Sequence, residues 1–348
     1  MNYRTVNLAA FGYELAPVVV TSAELEARLE PLYRKLRFVP GQLQALTGIR
    51  ERRWWEPEYP LSRGAIAAGQ KALAAAGIAA AELGALVYAG VCREQFEPAT
   101  ACRVAAGLGI GGDAVVYDLS NACLGVLNGI LDVANRIELG QIRAGLVVSC
   151  ESAREINELT IAAMLERCDM EQFAGSLATL TGGSGAVAVL LTDGSFPAAG
   201  AGHRLVGGVT RAAPEHHRLC LWGITPDGSG KFRQTMTTDA VNVMNYGVEL
   251  GRRTWEAFLP AVGWQAGEVD RVICHQVGSA HQSAILKTLE IPLDKDFTTY
   301  EFLGNMGTVS LPLTAALADE REMLLPGERV AFLGIGSGLN CLMLGVEW

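Results

Sequence analysis

Two periods of apolar spacing alternate along the chain. Short, largely apolar runs recur at residues 85–91, 115–119, 144–148, 186–191, 269–274 and 330–333. Runs of this length and character suit strands buried on both faces. Between them the spacing turns helical, in an Ala-rich stretch at 64–76 and in a stretch with Leu127, Ile130, Leu131 and Ala134 on one face. Near the start, Thr21-Ser22-Ala23-Glu24 reads as a capping box, and Leu25, Leu29, Leu32 and Leu36 then give a single apolar helical face. Helices alternating with buried strands predict an α/β architecture.

The pattern also repeats. Leu73-Ala-Ala-Ala-Gly77-Ile-Ala-Ala-Ala-Glu82, followed by Leu86-Val87 and Val91, is echoed 186 positions later. There the chain reads Leu259-Pro-Ala-Val-Gly263-Trp-Gln-Ala-Gly-Glu268, followed by Val272-Ile273 and Val277. A second echo pairs Gly183-Ser184-Gly185 with Gly336-Ser337-Gly338, each ahead of an apolar run. Two echoes in the same order predict duplicated half-domains, residues 1–194 and 195–348. A site would form where the halves meet and the turns ending their central strands converge.

Composition narrows the partners. Half of the 348 residues are hydrophobic and 19% are charged, which suits a large core and excludes disorder. The formal net charge is −9 without a long run of Lys or Arg, so nucleic acid is a poor partner. No segment approaches the ~20 apolar residues of a membrane span, and the first residues do not resemble a signal peptide. Eight cysteines lie scattered with no Cys-x-x-Cys pair, so neither a structural metal nor a redox pair is expected. Free thiols in a cytoplasmic protein are the simple reading.

One of those thiols stands apart. In Tyr117-Asp118-Leu119-Ser120-Asn121-Ala122-Cys123-Leu124-Gly125, an apolar run leads directly into a helical stretch. Cys123 therefore falls near a helix N-terminus, where the dipole favours the thiolate. A free cysteine is ordinarily a small buried hydrophobe, and Cys92, Cys102, Cys150, Cys168, Cys220 and Cys341 are read that way. His275 closes the run Val272-Ile273-Cys274, and Asn305 lies in the turn Gly304-Asn305-Met306-Gly307. Neutral imidazole and carboxamide both donate hydrogen bonds and can stabilise a thioester enolate. The order Cys, His, Asn also occurs in papain-like proteases, but their Cys-Gly-x-Cys-Trp neighbourhood is missing.

These motifs resemble the thiolase superfamily, in particular its ketoacyl-ACP synthase III branch. Thr47-Gly48-Ile49-Arg50-Glu51-Arg52-Arg53, Ala122-Cys123-Leu124-Gly125, His275-Gln276, Gly304-Asn305 and Gly334-Ile335-Gly336-Ser337-Gly338 match that branch in order. The likeness runs from about Arg50 to the C-terminus and is weakest across residues 221–238. Within the branch, Glu97-Pro98-Ala99-Thr100-Ala101, Gly207-Gly208-Val209-Thr210-Arg211 and residues 333–341 are most similar to the acyl-condensing enzymes of bacterial olefin biosynthesis. Gln42 and Leu46 stand where the initiating synthases carry a Trp and an Arg for the CoA nucleotide.

The resemblance implies a thiolase fold, a five-layer αβαβα sandwich, in a homodimer. It implies acyl transfer from acyl-CoA to Cys123, with the backbone amides of Cys123 and of the Gly336–Ser337 loop as oxyanion hole. It further implies that Glu97, 26 positions before Cys123, reaches the partner subunit's site and removes an α-proton from a second acyl-CoA. His275 and Asn305 would stabilise the enolate, giving a β-ketoacyl thioester without decarboxylation. No cofactor or metal is implied beyond the thioester substrates, whose carrier is CoA or ACP. Three alternatives stay open: a decarboxylative synthase using malonyl-ACP, a pyrone-forming ketosynthase and a Cys-dependent thioesterase.

Overall fold

A computed structural model describes residues 1–200, 202–226 and 230–348. The chain opens with β1 (Asn7–Leu15), β2 (Val18–Thr21), α1 (Ser22–Arg28), α2 (Glu30–Leu36), α3 (Gln42–Thr47) and β3 (Glu51–Trp54). There follow α4 (Leu61–Ala76), β4 (Ala85–Ala89), α5 (Thr100–Leu108), β5 (Val115–Leu119), α6 (Gly125–Glu138), β6 (Ala144–Glu151), α7 (Arg154–Arg167), α8 (Met170–Leu180) and β7 (Gly185–Thr192). The remainder is β8 (His203–Ala212), the hairpin β9 (Cys220–Pro226) and β10 (Phe232–Thr238), α9 (Ala240–Val262), β11 (Arg271–Cys274), α10 (Ser279–Thr288), α11 (Tyr300–Leu303), α12 (Ser310–Glu320), β12 (Arg329–Gly336) and β13 (Asn340–Glu347).

The capping box at Thr21 forms, but the single helical face predicted after it is divided between two helices. Pro31 has no N–H to donate, so α1 stops and α2 restarts around it. Leu25, Leu29 and Leu32 still bury on one side, against Met164 and Phe173 among others.

The two echoed stretches take the same course through space. α4 ends at Gly77 (φ 62°) and α9 at Gly263 (φ 72°), the left-handed conformation that glycine adopts without a Cβ penalty. Each glycine is followed by one 3-10 turn, Ala80–Glu82 or Ala266–Glu268, and then by a buried strand, β4 or β11.

Nine strands form one mixed sheet in the order β11-β12-β13-β8-β1-β7-β6-β4-β5. Its halves join where β1 meets β8, at Asn7↔Arg204 and Leu8↔His203, and the residues ahead of β1 add Leu205 N to Val6 O (3.0 Å) and Tyr3 N to Val206 O (2.9 Å). Three apolar clusters define the layers. α4 and α5 cover one face of the β1–β5 half through Ala65, Ala68, Leu73 and Val104. α9 and α10 cover one face of the other half through Leu250, Phe258 and Leu286. Between the two half-sheets lie α6 and α12, with Val126, Ile130, Leu311 and Leu317 packed against Val147, Val187, Phe332 and Leu342. The result is an α/β sandwich of five layers. Transfer of this apolar surface out of water is its main driving force.

One strand departs from the expected burial. β5 was predicted as a strand covered on both faces, but it is the sheet's edge and is partly exposed, with Val115 40% accessible.

Candidate active site

β5 and α6 place Cys123. The five residues between them form a tight turn in which Leu124 N donates to Asn121 O (2.9 Å) and Gly125 N to Ala122 O (3.2 Å). Ala122 is held at φ 46°, a conformation that non-glycine residues rarely adopt and that marks strain next to the thiol. Thr308 secures the start of α6: its Oγ1 accepts from Val126 N at 2.6 Å in a buried position.

His275 extends β11, its N donating to Leu333 O on β12 (3.0 Å). Both neighbours are fixed. Asp296 Oδ1 accepts from Cys274 N (3.2 Å), and Gln276 Oε1 accepts from Thr299 N (2.8 Å) and Tyr300 N (3.2 Å). Asn305 is stitched to the Thr181–Gly183 turn, donating N to Thr181 O and receiving Gly183 N on its own carbonyl, both at 2.9 Å. Its Oδ1 accepts from Gly307 N (3.0 Å), which commits the carboxamide oxygen and leaves the NH2 as the group able to donate to a substrate.

The glycine loop closes the ring. Asn340 Nδ2 donates to Asn121 Oδ1 (3.1 Å) and to Ser337 O (3.4 Å), tying that loop to the nucleophile turn. Gly336 packs so closely that a Cβ on it would lie 3.4 Å from Cys123 N.

Cys123, His275, Asn305, Gly336 and Ser337 thus surround one cavity of about 430 Å³. Ile156, Met236, Val243, Ile335 and Leu339 give it mostly apolar walls. Glu97 does not line it. That residue is exposed, on the loop between β4 and α5.

Burial governs the charges in this cavity. It pushes the Cys123 thiol up to about 12, with Cys220 and Glu151 adding to the rise and a backbone hydrogen bond working against it. Desolvation thus works against the thiolate that a position near the start of α6 favours. Burial also takes His275 down to about 3 and the adjacent His281 down to about 4, so both imidazoles are neutral. Glu151, wholly buried beside Val91 and Cys92, is raised by the same cause.

Three residues lining the cavity had no signal in the sequence. Glu151 lies at the end of β6, His281 one turn into α10, and Cys220 at the start of the β9–β10 hairpin. Cys220, read as a structural thiol, is instead half-buried and acts electrostatically on Cys123, whereas Cys102 is exposed. Among the described residues, no cluster of three or more His, Cys, Asp or Glu is placed to hold a metal, and no helix is long and apolar enough to cross a membrane.

Known proteins share both sequence and architecture. Residues 259–348 match the family model of the 3-oxoacyl-[acyl-carrier-protein] synthase III C-terminal region. The acyl-CoA:acyl-CoA alkyltransferase of Shewanella oneidensis is 60% identical over 349 residues, covering 100% of both chains. The enzyme of the same name from Xanthomonas campestris is 35% identical, again over 100% of both. A crystal structure of a cysteine-to-alanine variant of Xanthomonas campestris OleA matches with a TM-score of 0.93 at 34% identity, covering 100% of this chain and 98% of that one. A cysteine-to-serine variant of that OleA, with bound lauric acid and lauroyl-CoA, matches at 0.90 and 34% identity over 99% and 100%. The chain therefore belongs to the acyl-CoA:acyl-CoA alkyltransferase family of thiolase-fold, ketoacyl synthase III-like transferases.

Proposed function

We propose that this protein joins two long-chain acyl-CoA thioesters, without decarboxylation, through an acyl group carried on Cys123. The observation that carries the reading is the convergence of Cys123, His275 and Asn305 on one largely apolar cavity, in a family whose members are named acyl-CoA:acyl-CoA alkyltransferases. In the first half-reaction Cys123 Sγ attacks the thioester carbonyl, its proton passes to the departing sulfur, and CoA-SH leaves. The amides of Cys123 and of the Gly336–Ser337 loop receive the carbonyl oxygen. A second acyl-CoA then loses an α-proton, its enolate oxygen taking hydrogen bonds from neutral His275 and from the Asn305 NH2. The enolate carbon attacks the acyl-cysteine carbonyl, the Cys123 sulfur leaves and takes back the α-proton from the base, and a β-ketoacyl thioester is released.

The proton acceptor is Glu97 of a second copy of the chain. Two features support an assignment across a dimer. Glu97 is exposed and absent from the walls of its own chain's cavity, and β5, at the sheet edge beside the same loop, leaves apolar surface open to a partner. The product suits a cytoplasmic route towards long-chain olefins.

Incubation with one long-chain acyl-CoA alone, followed by mass spectrometry of product and protein, tests the reaction. A β-keto product or its decarboxylated ketone is expected. Free acid alone marks a thioesterase, and dependence on malonyl-ACP with release of CO2 marks a decarboxylative synthase. Glu97→Gln should still acylate Cys123 yet fail to condense; condensation by that variant at the normal rate refutes the role of Glu97.

A further inference from the structure

The loop that carries Glu97 is exposed at its tip, residues 95–98, with Phe96 87% accessible. Its two ends are held by carboxylates. At the β4 end, Glu151 accepts from Val91 N (2.8 Å) and Cys92 N (3.1 Å). At the α5 end, Asp118 accepts from Thr100 N (2.9 Å) and Ala101 N (2.8 Å). Between them, Glu94 turns back onto its own subunit. It accepts from Ser62 N (2.8 Å) and Ser62 Oγ (2.7 Å) at the start of α4, and Arg103 Nη1 on α5 donates to its other oxygen at 2.6 Å. Its side chain is only 12% exposed.

We propose that Glu94, locked by Ser62 and Arg103, is a positioning residue that sets the reach and direction of the arm presenting Glu97 to the partner's site. This deepens, and rests on, the reading in which Glu97 acts across a dimer. The geometry gives its size. Glu97 follows Glu94 by three positions, so the Glu97 Cα lies within about 10 Å of a fixed point. With Glu94 released, the nearest anchors are Cys92 and Thr100, and the segment between them spans up to roughly 28 Å when extended. A general base must come within hydrogen-bond reach of its proton. A misplacement on the order of 1 Å lowers the rate about 100-fold. Acylation of Cys123 makes no use of the arm.

Full-length protein carrying Glu94→Ala is expected to acylate Cys123 at the wild-type rate while condensation falls about 10- to 100-fold. Glu94→Gln keeps an acceptor for Ser62 and is expected to recover part of that loss. Mixed dimers from two differently tagged chains locate the effect. Glu94→Ala paired with Cys123→Ser leaves its one reactive thiol facing an intact arm, and should condense normally per thiol. Wild type paired with the Glu94→Ala/Cys123→Ser double variant leaves its thiol facing the released arm, and should be slow. Equal rates in the two pairings, unaltered condensation by Glu94→Ala, or acylation lost together with condensation overturns the inference. The same pairings made with Glu97→Gln test the underlying reading separately. Asymmetry for Glu97 without asymmetry for Glu94 removes only the brace, and no asymmetry for Glu97 removes both.

Discussion

The turn that holds Asn305 offers a sharp perturbation, Gly304→Ala. Gly304 adopts φ 71°, ψ −167°, a region open essentially to glycine alone, and occupying it with alanine costs about 1–3 kcal/mol. An added Cβ would also lie 2.6 Å from Thr181 O and 2.8 Å from the Arg52 Cβ, both in packed surroundings. Relief requires moving Thr181 O, which accepts from Asn305 N, and the reciprocal bond from Gly183 N to Asn305 O goes with it. Two hydrogen bonds add about 1 kcal/mol each. The expected loss is about 3–5 kcal/mol, or a fall in Tm of roughly 6–10 °C at about 2 °C per kcal/mol for a chain of this size. Because the displaced group is Asn305 itself, condensation should fall further than Cys123 acylation. Gly41→Ala is the control. It introduces left-handed strain (φ 90°) of about 1–2 kcal/mol, with nothing within 4 Å of the new Cβ, and should leave both half-reactions alone. Thermal denaturation and the two rates, measured on both variants, decide the matter. If Gly304→Ala melts within about 2 °C of wild type and condenses normally, the account of the turn is wrong.

Two other predictions follow from buried groups. His275 and His281 are neutral in the folded chain down to about 3 and about 4, whereas an unfolded histidine takes up its proton near 6.5. Unfolded protein therefore binds more protons between those values, and their contribution to stability falls as pH drops below 6.5; Asp296, raised to about 7, opposes this in part. Urea denaturation at pH 7.5 and 5.5 should show His281→Leu losing about 1 kcal/mol less than wild type on acidification, and an equal loss in the two proteins contradicts the assignment. Thr308→Val removes the acceptor of Val126 N at the start of α6 and should destabilise the protein by about 1–3 kcal/mol while slowing acylation, with Thr308→Ser restoring both; a silent Thr308→Val excludes that support for the nucleophile turn.

Much of the fold was legible because its causes are local. The Gly77 and Gly263 caps, the 3-10 turns after them and the buried strands β4 and β11 each depend on a few neighbouring residues, so the echo in sequence reappears as an echo in space. Cys123 was legible for the same reason, lying between an apolar run and a helical one. Glu151 was not, since its burial depends on the β4–α5 loop, 60 positions away, folding over it. His281 gave no signal because it belongs to a different element from His275; a strand end, a turn and a helix start bring the two rings together. The edge position of β5 was hidden too, since an apolar run states what is to be covered and not by which element.

One physical cause accounts for the electrostatics of the whole cavity. Desolvation raises the Cys123 thiol and the Glu151 carboxyl and lowers the His275 and His281 imidazoles, so these four groups in its walls move towards their neutral forms. Neutral donors suit the stabilisation of an enolate, because an N–H that keeps its proton donates at no cost in charge separation. The same dryness works against a carboxylate base held permanently inside, as the fate of Glu151 demonstrates. A base that stays solvated until the site is completed keeps its charge up to that point. The exposed Glu97 proposed to act from a second subunit fits that description, whereas a glutamate substituted into the cavity wall would be driven towards its neutral acid.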